Sequence, residues 1–219
     1  LFLGIQSVID GIVLGRFVGA NALASVNLIL PCYSLISAFA IVMGIGGQTI
    51  VSISLGKGDK QEANNALRSV FLFLIAMSLA VSLLIYLFAG ESASFLGANA
   101  VLQGDAVGYI RALVPFFPFL CTMFFGDYII KAMGHPLYAT SVMGTTVILN
   151  IILDLVFVAV LGWGVMGAGL ATGIAFTIGA CLNVPRLFSR HEVVAVQRGR
   201  YNWRLVWNAF YNGSSEGMS

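Results

Sequence analysis

Runs of apolar residues long enough to cross a bilayer recur through this chain, and that constrains its fold more than any other feature. They occupy residues 1–14, 24–55, 66–89, 106–133, 137–161 and 165–188. A hydrocarbon core of roughly 30 Å takes about 20 helical residues. In lipid every backbone polar group needs an internal partner, which leaves only helices and closed barrels. The runs are continuous rather than alternating in polarity, so a transmembrane barrel is excluded. With 59% hydrophobic and 9% charged residues, the expected class is an all-α polytopic membrane protein. The longer runs imply tilt or extension beyond the hydrocarbon.

The connections carry turn chemistry: Gly56-Lys57-Gly58-Asp59-Lys60, Gly134-His135-Pro136 and Gly162-Trp163-Gly164. Gly56-Lys57-Gly58 lacks the spacing of a phosphate loop and opens no strand-helix unit. One side collects Lys57, Lys60, Arg68, Lys131, Arg186, Arg190, Arg198, Arg200 and Arg204; the other has Arg16 and Arg111. By the positive-inside rule the first set is cytoplasmic. The expected location is therefore a cell (inner) membrane, with the tail after the sixth span inside. That tail holds Trp203, Arg204 and Trp207, an amphipathic segment at the interface: either a solvated linker or a contact for anionic lipids. Leu1 already lies inside an apolar run, and Asn212-Gly213-Ser214-Ser215-Glu216 reads as the opening of a seventh span. A piece of a longer protein is expected.

Within the spans, small residues stand four apart at Gly104 and Gly108, Gly169 and Gly173, and Ala175 and Gly179, the spacing that lets helix backbones approach. Pro31, Pro115 and Pro118 each remove a helical donor and are expected to bend the second and fourth spans. Cys32, Cys121 and Cys181 show no CxxC spacing and read as packing residues.

Two of the aspartates inside apolar runs, Asp10 and Asp154, fall near the same depth. A central Asp costs roughly 2.5–3.5 kcal/mol on insertion scales, so each is expected to face protein and a partner. At about 1.5 Å per residue, Asp10 lies roughly 7–8 Å in from the turn at Gly15, and Asp154 roughly 12 Å in from Gly162. Thr172 reaches a similar depth on the sixth span. Asn150 precedes Asp154 by four positions and shares its helix face. An amide and a hydroxyl beside two mutually repelling carboxylates suit either a shared proton or the oxygen shell of a small cation, such as sodium. The plainer alternative is an interhelical hydrogen-bonding pair of Asn150 and Asp154.

Other intramembrane polar residues leave two readings open. Asp127 stands four before Lys131, which suits a helix-surface ion pair as well as a substrate-facing role. Tyr109 at the outer interface reads by default as a belt aromatic. Gln48, with Thr49 and Ser52, suits interhelical hydrogen bonds. His135 and His191 accompany no HExxH or GxSxG pattern, so no enzyme is expected. The net charge of +2 gives no nucleic-acid signal, and no organic cofactor is implied.

The stretch from Asp10 through Gly15-Arg16-Phe17-Val18-Gly19-Ala20-Asn21 resembles the first helix end and loop of MATE multidrug exporters. Gly44-Ile45-Gly46-Gly47-Gln48-Thr49 with Ser54-Leu55-Gly56-Lys57-Gly58-Asp59 resembles their second helix and following loop. Leu149-Asn150-Ile151-Ile152-Leu153-Asp154 and Gly162-Trp163-Gly164-Val165-Met166-Gly167-Ala168-Gly169-Leu170-Ala171-Thr172 resemble their fifth and sixth helices. The resemblance implies a six-helix lobe of a twelve-helix transporter: residues 1–188 as the amino-terminal lobe, 189–211 as a cytoplasmic linker, 212–219 as the start of a truncated seventh helix. It implies an antiporter that exports cationic or aromatic drug-like compounds against inward protons or sodium, with membrane lipids and the carboxy-terminal lobe of the same protein as partners. It assigns the coupling ion to Asp10, Asn150, Asp154 and Thr172, and the substrate cavity to Tyr109, with Asp127 where members often carry Asn and Gln48 nearby. A lipid-linked saccharide flippase of the broader superfamily and a non-transporting membrane protein are the alternatives.

Overall fold

A computed structural model describes residues 2–189 and 191–216, and the side chains from 6 to 189 and 191 to 215. Leu1 of the first expected span, Arg190 of the basic tail and residues 217–219 of the expected seventh helix lie outside the described residues. The chain is helical: α1 (Phe2–Phe17), α2 (Ala20–Gly56), α3 (Lys60–Leu87), α4 (Ala89–Phe95), α5 (Gln103–Leu113), α6 (Phe117–Ala132), α7 (Pro136–Asp154), α8 (Gly164–Phe188) and α9 (Trp203–Glu216). Five helical stretches among the described residues are long and apolar enough to cross a membrane: Ala20–Gly56, Lys60–Leu87, Gln103–Ala132, Pro136–Val160 and Gly164–Phe188. With its 16 residues, α1 is shorter than these. The chain is a multi-pass, all-α membrane protein.

The ends of these helices follow from local chemistry. Gly58 and Gly134 take left-handed φ of 77° and 93° just past α2 and α6, where a side chain would strain the turn. Asp59 caps α3 by accepting the Glu62 N–H at 2.9 Å. Pro136 opens α7, where its missing N–H costs nothing. Pro31 sits inside the unbroken α2. Pro115 lies in a 3-10 turn, Val114–Phe116, that separates α5 from α6.

The chain forms two compact units. One comprises the chain up to Leu35, Leu79–Phe117 and Gly144–Ile178; the other comprises Ile36–Ser78, Pro118–Met143 and the chain from Gly179 onward. In the first unit α8 comes against α5 through glycine. A Cβ on Gly169 would meet that of Ala112 at 2.9 Å, and one on Gly173 would collide with the Phe116 ring. Glycine at these positions is what permits the close approach. The turn at Pro115 is supported from α3. Pro118 has no N–H to give the Val114 carbonyl. That oxygen instead accepts from the Phe117 N–H and from the Ser82 hydroxyl.

In the second unit the closest contact joins α2 and α9. A Cβ on Gly46 would run into the Ala209 carbonyl, and one on Gly213 into that of Val42. The pairing of 46 with 209 and 42 with 213 makes the two helices antiparallel. The amphipathic segment and the polar Asn212-to-Glu216 stretch thus belong to one helix, α9. Glu192 ties the linker to two further places, accepting from Arg186 Nη1 at 2.7 Å and facing His135 Nε2 at 3.1 Å.

Candidate functional site

Asp10 from α1, Tyr109 from α5, Asn150 and Asp154 from α7 and Thr172 from α8 all belong to the first unit. The approach of α8 to α5 sets Gly169 against Tyr109 and Ala112, and Tyr109 and Thr172 line one cavity. Asp154 is the last α-helical residue of α7. A π-helical stretch, Leu155–Val160, begins directly after it, and α1 packs against that stretch. Wider winding of this kind recurs beside functional groups. Here it brings the end of α7 against the helix that carries Asp10.

The carboxyl groups of Asp10 and Asp154 lie within hydrogen-bonding reach of each other. Two ionised carboxylates at that range repel strongly away from water, so the arrangement calls for a shared proton or a cation. Asn150 and Asp154 are completely buried, Thr172 and Tyr109 nearly so, and Asp10 is half-buried. Asn150 Nδ2 donates to Thr172 Oγ1 at 3.1 Å. That bond turns the amide oxygen away from Thr172. Both oxygens of Asp154, Oδ1 of Asp10 and Oδ1 of Asn150 are buried and accept no hydrogen bond from the protein. Buried acceptors left unmatched are costly, and in native proteins they call for an explanation.

A cavity of about 60 Å³ opens beside these groups, lined by Asp10, Tyr109 and Thr172, with Ser7, Asn27 and Leu14 among its other walls. Asp154 and Asn150 do not line it. Drug-sized ligands need roughly 300–1,000 Å³, whereas a single water or small cation needs a few tens at most. The space suits an ion or a few waters. Its wall offers the Asp10 carboxylate, the Asn27 amide and the hydroxyls of Ser7, Tyr109 and Thr172, and Asp154 and Asn150 stand behind it, an oxygen set that fits a hard cation. Among the described residues no three His, Cys, Asp or Glu side chains cluster as a metal centre.

Tyr33 and Asn27, both on α2, escaped the sequence reading. Tyr33 and Tyr109 both lie within electrostatic range of Asp10, and Tyr33 stacks on Phe176 of α8 with ring centroids 6.2 Å apart. Asn27 joins the cavity wall. Both were visible as polar positions in the second apolar run, but depth counting alone does not say which face of a helix meets the site.

Asp127 and Gln48 belong to the second unit. Asp127 is nearly buried and paired with Lys131, whose ammonium also lies 5.7 Å from the centre of the Tyr128 ring. The Oδ1 atom of Asp127 has no protein partner. Gln48 is half-buried on α2.

The MatE family profile matches residues 2–156. The multidrug export protein MepA of Staphylococcus aureus is 27% identical over 194 residues, which cover 87% of this chain and 43% of that protein. The chain therefore spans less than half the length of that curated relative. Among solved structures, a MATE protein in complex with MaD3S superposes with a TM-score of 0.91 at 22% identity, covering 99% of this chain and 49% of the other. The inward-facing conformation of a multidrug resistance MATE family transporter of the MOP superfamily gives 0.83 at 24% identity, covering 95% and 48%. The fold is that of one half of these proteins.

Proposed function

We propose, from the premise that this chain belongs to the MatE family of membrane transporters, that it supplies the ion-coupling half of a drug antiporter. The chain is a homologue of multidrug export proteins and, like its family, not an enzyme. The observation that carries the finer reading is the Asp10–Asp154 pair, two carboxyl groups in contact with three of their four oxygens unmatched by the protein.

One inward-moving proton or sodium ion neutralises that pair. A proton bridges the two carboxyl groups. Sodium takes oxygens from Asp10, Asp154, Asn150 and Thr172. Loading removes a repulsion between α1 and α7, and unloading restores it, so occupancy biases the packing of the helices that carry the pair. The acidic site and the small cavity suit the ion, while the exported cationic or aromatic compound needs a larger cavity completed by the second lobe. Tyr109, nearly buried on the wall of the small cavity, stands beside the ion site. By the Lys and Arg distribution the protein sits in the cell membrane with Lys57 and Arg186 on the cytoplasmic side.

The deciding measurement is efflux of a fluorescent organic cation from proteoliposomes holding the full-length protein, driven first by a proton and then by a sodium gradient. Asp10→Asn and Asp154→Asn should each abolish gradient-driven export while expression and folding persist. Wild-type rates in both variants would sink the coupling role of the pair.

A further inference from the structure

The segment joining α8 to α9 reads in sequence as a linker, yet it is fastened along one face of α3. Asn64 Oδ1 accepts the N–H of Ala195 at 2.7 Å, Asn65 Oδ1 that of Arg200 at 2.6 Å and Ser69 Oγ that of Asn202 at 2.8 Å. Arg68 Nη1 donates to the Gly199 carbonyl at 3.2 Å. Residues 64, 65, 68 and 69 repeat at the spacing of a single helix face, so α3 presents a polar stripe that matches the backbone of the segment.

Two of the clips are themselves held. Asn64 Nδ2 donates to the Lys60 carbonyl at 2.7 Å, and Ser69 Oγ donates to that of Asn65 at 2.6 Å. Val194 and Ala195 are fully buried and Val196 nearly so, although their neighbours His191, Gln197 and Arg198 are exposed. At Gly199 a Cβ would strike the Asn64 carbonyl, so the segment, just past its 3-10 turn at Val196–Arg198, lies backbone-to-helix with no side chain between. Asn202 then turns the strap into a helix. Its N–H is the one held by Ser69, and its Oδ1 accepts the Arg204 N–H at 3.0 Å as the cap of α9.

We propose that Asn64, Asn65 and Ser69 are positioning residues for transport. They hold residues 195–202 as a strap, so that α9 is clamped on α2 at Gly46 and Gly213 and moves as part of this lobe. The flexibility needed between two lobes then lies beyond α9 and not in the segment before it. The transport consequence rests on the export reading above; the strap itself does not.

The test uses full-length protein in proteoliposomes with two readouts: amide hydrogen exchange over residues 195–212, and the concentration dependence of export. In the double variant Asn65→Ala with Ser69→Ala, protection over 195–212 should fall by about tenfold per bond of ordinary strength lost. The maximal export rate should fall while half-saturation stays near the wild-type value. Asn65→Asp with Ser69→Thr keeps both acceptors and should restore protection and rate together, which a generally misfolded variant would not do. Unchanged protection in the alanine variant overturns the strap, and lost protection with an unchanged maximal rate overturns its role in transport. If the wild-type protein exports no cation yet keeps the strap protected, the export reading fails and the strap stands.

Discussion

Asp10 forms one side of a cavity wall, while Asp154, in contact with it, has no exposure at all. The pair is therefore not two equivalent carboxyl groups. Asp10 and Thr172 face the cavity, whereas Asp154 and Asn150 lie behind them.

Replacing the deeper partner should separate folding from function. Asp154→Asn removes a carboxylate from a fully buried place where the protein leaves both its oxygens unmatched. Burying an unmatched charge is destabilising, so the variant should unfold in detergent at the wild-type temperature or higher while gradient-driven export is lost. A large drop in unfolding temperature would show that the carboxylate is a structural group. The double variant with Asp10→Asn should lose no more export than either single change, because the two residues act as one unit.

The Asn150–Thr172 bond makes a second, independent prediction. Thr172→Val strands a fully buried amide donor, at a cost of about 1–3 kcal/mol. Adding Asn150→Leu removes the other partner, and apolar replacement of both is close to neutral. Thermal unfolding should therefore fall for the single variant and recover in the double, with export lost in the double. Recovery of export alongside stability would mean that the amide oxygen takes no role in ion binding.

Glycines differ in what they permit, and the difference is measurable. At Gly173 a Cβ collides with the Phe116 ring, whereas at Gly104 nothing lies within 4 Å. Gly173→Ala should destabilise by about 1–3 kcal/mol through overpacking. Gly104→Ala should be neutral or stabilise by about 0.4–1 kcal/mol. Equal unfolding temperatures for the two variants would contradict the packing of α8 on α5.

Ser82→Ala should weaken the turn at Pro115. It leaves the Val114 carbonyl with the Phe117 N–H alone, and the loss of one ordinary hydrogen bond costs about 0.5–1.5 kcal/mol. Ser82→Thr keeps the hydroxyl and should unfold like the wild type.

Much of this was legible in residue order. Continuous apolar runs gave the helices, and counting inward from Gly15 and Gly162 brought Asp10 and Asp154 to one depth. The spacing of Asn150 and Asp154 put both on one face of a helix. The π winding after Asp154 was not legible, because Leu155-to-Val160 is an ordinary apolar run and its winding shows only in the fold. Tyr33 was missed because its neighbourhood depends on which side of α2 turns toward α1. The strap was hidden for a different reason. Its donors are backbone N–H groups, which every residue but proline carries, so no pattern in residues 195–202 announces that Asn64, Asn65 and Ser69 will receive them.

The seam between α2 and α9 tolerates change in one direction only. At Gly46 and Gly213 the opposing atoms are carbonyl oxygens of the neighbouring helix, not the ends of side chains that could swing aside. Nothing at the seam can be trimmed to make room, so a substitution on either helix has no local compensator on the other. Any enlargement there must push the helix backbones away from each other over several turns. The join behaves as a rigid clasp rather than an adjustable bearing, and sequence variation in homologous chains should be sparse at these two positions even where the surrounding apolar residues exchange freely.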